Sequence, residues 1–349
     1  MNYREWIAAL KAGRIEPVYV FTGKEAFLRD DALARLKKKL LPDGLQDFNC
    51  TELTNPAVAD LIACAETLPV MADRRLVIVR ELALLSAEDK KGKTGEKAKG
   101  EGADRESEAL ARYLPEAPGT ACIVFLAGET IDRRKKLGKL MTALPGFVSF
   151  DPPEDAELVR FLSKTAERAG IALDRTAADR LIFYSGRDLS MLSREMEKLI
   201  AYAAEEGHIL PHHVEDLATR TSEAQVFEMT DAAVSGETGK ACGQLKTLLA
   251  AGEARLGILA LLARQLRQML YASDLLSAGK RRAEIAEALQ VRPFVVERLE
   301  RRVRRIPRDR IRELLILCTR TEFEIKSGVI REDAGLDRIL LQLSGPKGQ

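Results

Sequence analysis

Between residues 17 and 150, short apolar runs alternate with stretches in which apolar residues recur every three or four positions. The runs are 17–21 (PVYVF), 48–53, 76–79 (LVIV), 121–126 (ACIVFL) and 147–150. Each has the length of a buried strand. Between them, residues 27–41, 57–67 and 132–144 carry helical spacing, as do the opening residues MNYREWIAALKAG. Strand, helix, strand in repetition predicts a parallel sheet with helices on both faces, because parallel neighbours need a crossover long enough to hold a helix. Asp151-Pro152-Pro153 ends this α/β domain at about residue 150, since proline restricts its own backbone and that of the residue before it.

The pattern after the break is helical. Residues 157–169, 176–185, 189–205 and 213–217 read as helices stopped by Gly170, Gly186 and Gly207. They give a small helical domain over 151–218. Residues 226–235, 239–251, 256–276, 282–289, 294–305 and 308–326 then predict an all-α domain over 219–349. No internal repeat of fixed period is visible. Inside the first domain, residues 86–108 (SAEDKKGKTGEKAKGEGADRESE) hold almost no apolar side chain. Such a segment cannot repay its ordering entropy by burial and is expected to be a mobile loop.

Composition narrows the class. Of 349 residues, 46% are apolar and 31% charged, which fits a globular protein of two or three domains. The 55 basic and 53 acidic residues leave a net charge of +2, so any nucleic-acid contact has to be a local patch. Cys50, Cys64, Cys122, Cys242 and Cys318 lie far apart without a C-x-x-C pattern, as expected of reduced structural thiols. The start lacks a signal-peptide core, and no run reaches the roughly eighteen apolar residues of a membrane span. A soluble, cytoplasmic protein is expected.

Candidate chemistry is sparse. The turn after the first strand, Thr22-Gly23-Lys24-Glu25, sits where a phosphate loop would lie. It is too short to ring a phosphate with N–H groups and places an acid in the phosphate-facing stretch. Gly92-Lys93-Thr94 has Ala87 in place of the first glycine of such a loop and no strand before it. The strand ends Arg80-Glu81 and Ala127-Gly128-Glu129 offer no clear aspartate for Mg²⁺. His208, His212 and His213 cluster at a helix start without partners at zinc spacing, which leaves surface or capping roles. No catalytic residue, metal or cofactor is expected. In the last domain Arg298, Arg301, Arg302 and Arg305 recur at spacing three and four, with Val295, Leu299, Val303 and Ile306 on another face. That basic face is either solvated or a contact for phosphate or an acidic partner.

In order along the chain, VYVFTGKEAFLRDDAL, DFNCTEL, ETLPVMADRRLVIV, IDRRKKLGKL, GRDLSMLSREMEKLIAYA, GILALLARQLRQML and TRTEFEIKSG give it its character. With these landmarks the chain resembles, over nearly its whole length, the delta-subunit family of the bacterial DNA polymerase III clamp loader. The resemblance implies an AAA+-like α/β module (1–150), a helical lid (151–218) and a helical collar (219–349). Through the collar such a subunit joins the ATP-binding gamma/tau and delta-prime subunits. It further implies a non-catalytic part of the DNA-directed DNA polymerase holoenzyme. Such a subunit binds and opens the ring-shaped sliding clamp, the beta subunit, so that the clamp can be loaded onto primer-template DNA.

By the same resemblance, the clamp-gripping element falls on residues 68–74 (LPVMADR). Leu68 and Pro69 open the element and count among its clamp-binding residues, and Val70 and Met71 stand at its two apolar plug positions, the second often larger or aromatic in relatives. Read from the residues alone, Val70 and Met71 have two fates: packed under the helix-to-strand connection, or exposed for a partner's pocket. Two other functions remain open at this point: a divergent AAA+ ATPase with an unrecognised nucleotide site, and a helical DNA-binding scaffold built on the arginine face.

Overall fold

The computed structural model describes residues 1–41, 44–85 and 98–345, and the chain divides into two units, Met1–Glu154 and Asp155–Gln349. The first unit is the expected α/β layer structure. In chain order it comprises α1 (Tyr3–Lys11), β1 (Val18–Thr22), α2 (Ala26–Leu40), α3 (Gln46–Asn49), β2 (Cys50–Thr54), α4 (Val58–Glu66), β3 (Arg75–Arg80), α5 (Ala98–Tyr113), β4 (Ala121–Leu126), α6 (Lys136–Ala143) and β5 (Phe147–Ser149). The five strands pair in parallel in the order β2-β3-β4-β1-β5.

Side chains on successive strand residues point to opposite faces, so each central strand feeds two cores. Val18, Val20, Val77, Val79, Ile123 and Phe125 pack against α4, α5 and α6. Their neighbours Tyr19, Phe21, Leu76, Ile78, Cys122 and Val124 pack against α1 and α2, with Trp6 and Leu36 fully buried. Burial on both faces is why these strands read as unbroken apolar runs and not as an alternation.

Two expectations change here. Residues 98–108 are not loop; they belong to α5, while residues 86–97 lie outside the described residues. Ala, Glu, Lys and Arg are good helix formers, and Leu110, fully buried, anchors the C-terminal half of this helix on the sheet. The expected strand 48–53 begins at Cys50, because residues 46–49 form the short turn of α3.

The second unit contains α7 (Asp155–Arg168), β6 (Ala172–Leu173), α8 (Arg175–Ser185), α9 (Leu189–Tyr202), β7 (His208–Ile209), α10 (Pro211–Leu217), α11 (Ser222–Val234), α12 (Thr238–Ala250), α13 (Arg255–Ser277), α14 (Arg282–Leu289), α15 (Pro293–Val303), α16 (Arg308–Lys326) and α17 (Glu332–Leu343). Side-chain caps set several starts: Asp174 accepts from Thr176 and Ala177 N–H, Asp188 from Met191, and Thr221 from Ala224. The pairing of β6 with β7 interrupts a segment expected to be wholly helical. Strands of two residues leave no periodicity to read.

Residues 155–218 and 219–345 share packing within this unit. Phe183 of α8 meets Phe227 of α11 and Phe294 of α15 edge to face, with centroids 5.0 and 5.2 Å away. Glu195 of α9, 3% exposed, accepts the Thr219 N–H at 3.0 Å and pairs with Lys198. Burial alone would raise its pKa; the bonds from Lys198 and Thr219 outweigh this and hold it below the usual carboxylate value.

Candidate functional site

Residues 68–71 lie in the connection from α4 to β3. Leu68 is 72% exposed, Val70 48% and Met71 85%. Of the two fates open to the apolar pair, exposure is the one observed. These side chains stand out on a segment whose backbone is fixed. The fully buried side chain of Asn49, at the end of α3, accepts the Val70 N–H at 2.7 Å and donates to the Val70 carbonyl at 2.8 Å and the Leu45 carbonyl at 3.1 Å. Beside this clip, Met71 sits at φ 51°, a left-handed conformation that costs a non-glycine residue about 1 to 2 kcal/mol. At the flanks, Arg75 donates to the Thr67 carbonyl at 3.3 Å and Arg74 to that of Ile15 at 3.0 Å. Reasoning from sequence did not single out Asn49, which lies in DFNCTEL between a helical turn and a strand.

The turn after β1 is engaged by the protein itself. Gly23 N–H donates to the Gly128 carbonyl and Glu25 N–H to that of Phe150, at 3.4 and 3.0 Å. The Thr22 hydroxyl donates to the same Gly128 carbonyl at 2.9 Å, and Arg29 reaches the Ala127 carbonyl at 2.9 Å. Donors that a phosphate loop would aim at an anion are spent on the ends of β4 and β5. Gly23 is required by this closure, since it lies at φ 127° and a Cβ there would stand 2.3 Å from the Phe150 oxygen. Gly23→Ala is expected to destabilise the first unit by about 2 to 3 kcal/mol, seen as a lower thermal midpoint. An unchanged midpoint would mean that the turn is not held against β5.

The four arginines, three on α15 and Arg305 just beyond its end, do not form one face. Arg301 and Arg305 are exposed, but Arg302 is 2% exposed. Its guanidinium pairs with Asp231, donates to the Phe227 carbonyl at 2.6 Å and Gln265 Oε1 at 3.2 Å, and lies over the Phe227 ring at 3.8 Å. Burial pulls its pKa down and Asp231 opposes the shift. Arg298 is turned the same way, toward Tyr184 and Asp231. The expectation of a four-arginine contact surface is corrected accordingly: Arg302 is packed inside the helices, and of the four only Arg301 and Arg305 are exposed, the latter with its guanidinium donating to the Ser235 hydroxyl.

The remaining candidates have structural surroundings. His213 is buried, accepts the Leu210 N–H on Nδ1 and places Nε2 3.2 Å from Glu206. Burial pushes the Cys122 and Cys318 thiols up to about 12. Among the described residues, no three His, Cys, Asp or Glu side chains gather as a metal would require, and no helix is long and apolar enough to cross a membrane.

Comparison with known proteins bears on both units. The family model "DNA polymerase III, delta subunit" matches residues 19–145, and "DNA polymerase III delta subunit, C-terminal domain" matches 223–343. The DNA polymerase III subunit delta of Bacillus subtilis (strain 168) is 27% identical over 338 residues, 96% of this chain and 95% of that protein. The structure of the Bacillus subtilis DNA clamp loader delta protein superposes with a TM-score of 0.55 at 26% identity, covering 98% of this chain and 99% of that one.

Proposed function

The chain belongs to the DNA polymerase III delta subunit family, and from that premise we propose that it is the subunit that grips the sliding clamp through Leu68, Pro69, Val70 and Met71. The observation that carries this reading is the pairing of the exposed side chains of Leu68, Val70 and Met71 with a backbone fixed at Val70. A plug of this kind loses little conformational freedom when it enters an apolar pocket, so its transfer free energy goes into affinity.

Gripping by the first unit would hold one clamp interface open while DNA enters. The helices of residues 219–349 would serve as the collar that meets the gamma/tau and delta-prime subunits, and residues 151–218 as the lid. Arg301 and Arg305 are the exposed cations that would contact primer-template DNA or a neighbouring subunit by charge. The work of such a loader is cytoplasmic.

In this reading the chain is no ATPase by itself. Support comes from the Gly23 and Glu25 N–H groups and the Thr22 hydroxyl of the β1–α2 turn, which are bound to backbone carbonyls. Titration of the isolated chain with a fluorescent ATP analogue up to millimolar concentration is expected to give no saturable binding. Saturable binding would favour the divergent ATPase instead. The loader role is tested by reconstitution with the ATP-binding subunits, the clamp and primed DNA. Clamp loading is expected to require this chain, and loading in its absence would refute the role.

A further inference from the structure

We infer that Asn49 is a positioning residue for partner binding: its side-chain amide fixes the backbone of Val70, so that Leu68, Val70 and Met71 are presented in one conformation before any partner arrives. The inference rests on the reading of residues 68–71 as the clamp plug.

The geometry is that of a strand partner supplied by a side chain. Asn49 Oδ1 takes the Val70 N–H at 2.7 Å and Nδ2 gives to the Val70 carbonyl at 2.8 Å, so both backbone groups of one residue are satisfied by a single amide. The second Nδ2 hydrogen goes to the Leu45 carbonyl at 3.1 Å, which fixes the amide's own orientation within α3. Among the described residues, no other hydrogen bond ties residues 68–72 to the rest of the protein. Asn49 itself is 0% exposed, so water does not compete for these bonds. The next residue, Met71, is held at φ 51° with its side chain in solvent. Little burial rewards that conformation, and the two bonds to Val70 are the local contacts that keep it.

A side chain of another type does not reproduce this. Aspartate keeps the acceptor for Val70 N–H but turns a carboxylate toward two carbonyl oxygens. Serine, with a single hydroxyl on a shorter side chain, cannot satisfy all three groups. Alanine leaves all three without a partner.

The test combines hydrogen exchange with a double-mutant cycle. In Asn49→Ala the Val70 amide is expected to exchange faster, and affinity for the purified sliding clamp to fall by roughly three- to tenfold, the cost of ordering the loop on binding. In a Val70→Ser, Met71→Ser background, Asn49→Ala is expected to cause a clearly smaller fall, because only Leu68 of the exposed plug side chains remains to be presented. Equal losses in both backgrounds, or no loss in either, would overturn the inference. Should Asn49→Ala not fold, Asn49→Ser is read in the same cycle, with a smaller loss expected and the same outcomes deciding. The exchange rate of Val70 does not depend on the clamp. Rapid exchange in the unaltered chain would refute the clip itself, whereas a protected Val70 with an unaltered affinity in Val70→Ser, Met71→Ser would refute the plug.

Discussion

A Val70→Ser, Met71→Ser variant is expected to lose between about a hundredfold and a few thousandfold in affinity for the sliding clamp while keeping its melting temperature. The size follows from transfer: burying two such side chains in an apolar pocket is worth roughly 3 to 5 kcal/mol, and each 1.4 kcal/mol is about tenfold. Sparing of the fold follows from exposure. Met71 is 85% exposed and Val70 48%, so neither leaves a large hole in the core when shortened. Core residues would behave otherwise, since their truncation costs about 2 to 5 kcal/mol. Titration of the clamp, together with a thermal melt of the free variant, checks both halves. A well-folded variant with unaltered affinity would remove these side chains from the binding account.

Arg302→Ala is expected to destabilise the second unit by about 3 to 5 kcal/mol, a fall in melting temperature on the order of 10 °C. Removing the guanidinium leaves Asp231 without its nearest cation and the Phe227 carbonyl and Gln265 without a donor, and it empties the space over the Phe227 ring. Arg301→Glu with Arg305→Glu is expected to change stability by no more than about 0.5 kcal/mol, because both positions are solvated. Denaturant melts of the two variants separate these cases. Equal and small effects would mean that Arg302 is not packed as described.

The same arginine shows how far the sequence could be read. Val295, Leu299 and Ile306 are buried, and Arg302 completes the spacing 295, 299, 302, 306. That is the spacing of an apolar stripe along one helix face, at steps of four, three and four, with Ile306 just past the end of α15. The residue type pointed to solvent while its place in the period pointed inward. Position prevailed because Asp231, 71 residues earlier on α11, supplies the opposite charge, and no local pattern reveals that pairing.

The sheet was legible because β1, β3 and β4 are buried on both faces and therefore stand out as apolar runs. The start of α5 was not, since its first turns carry no apolar stripe and its anchor, Leu110, comes late. At the candidate site, the position of residues 68–71 between a helix and a strand could be read from spacing and resemblance. What fixes that segment could not. Asn49 acts across 21 residues through a side-chain amide bonded to backbone, an interaction with no period and no characteristic neighbour in sequence.

The central claim is that this chain grips the sliding clamp without help from nucleotide. It is tested most directly by titrating the purified clamp with the isolated chain in the absence of ATP and following complex formation by sedimentation. A stable complex, unchanged when ATP is added, is the predicted result. No complex at micromolar concentrations, or one that forms only with ATP, would contradict the account.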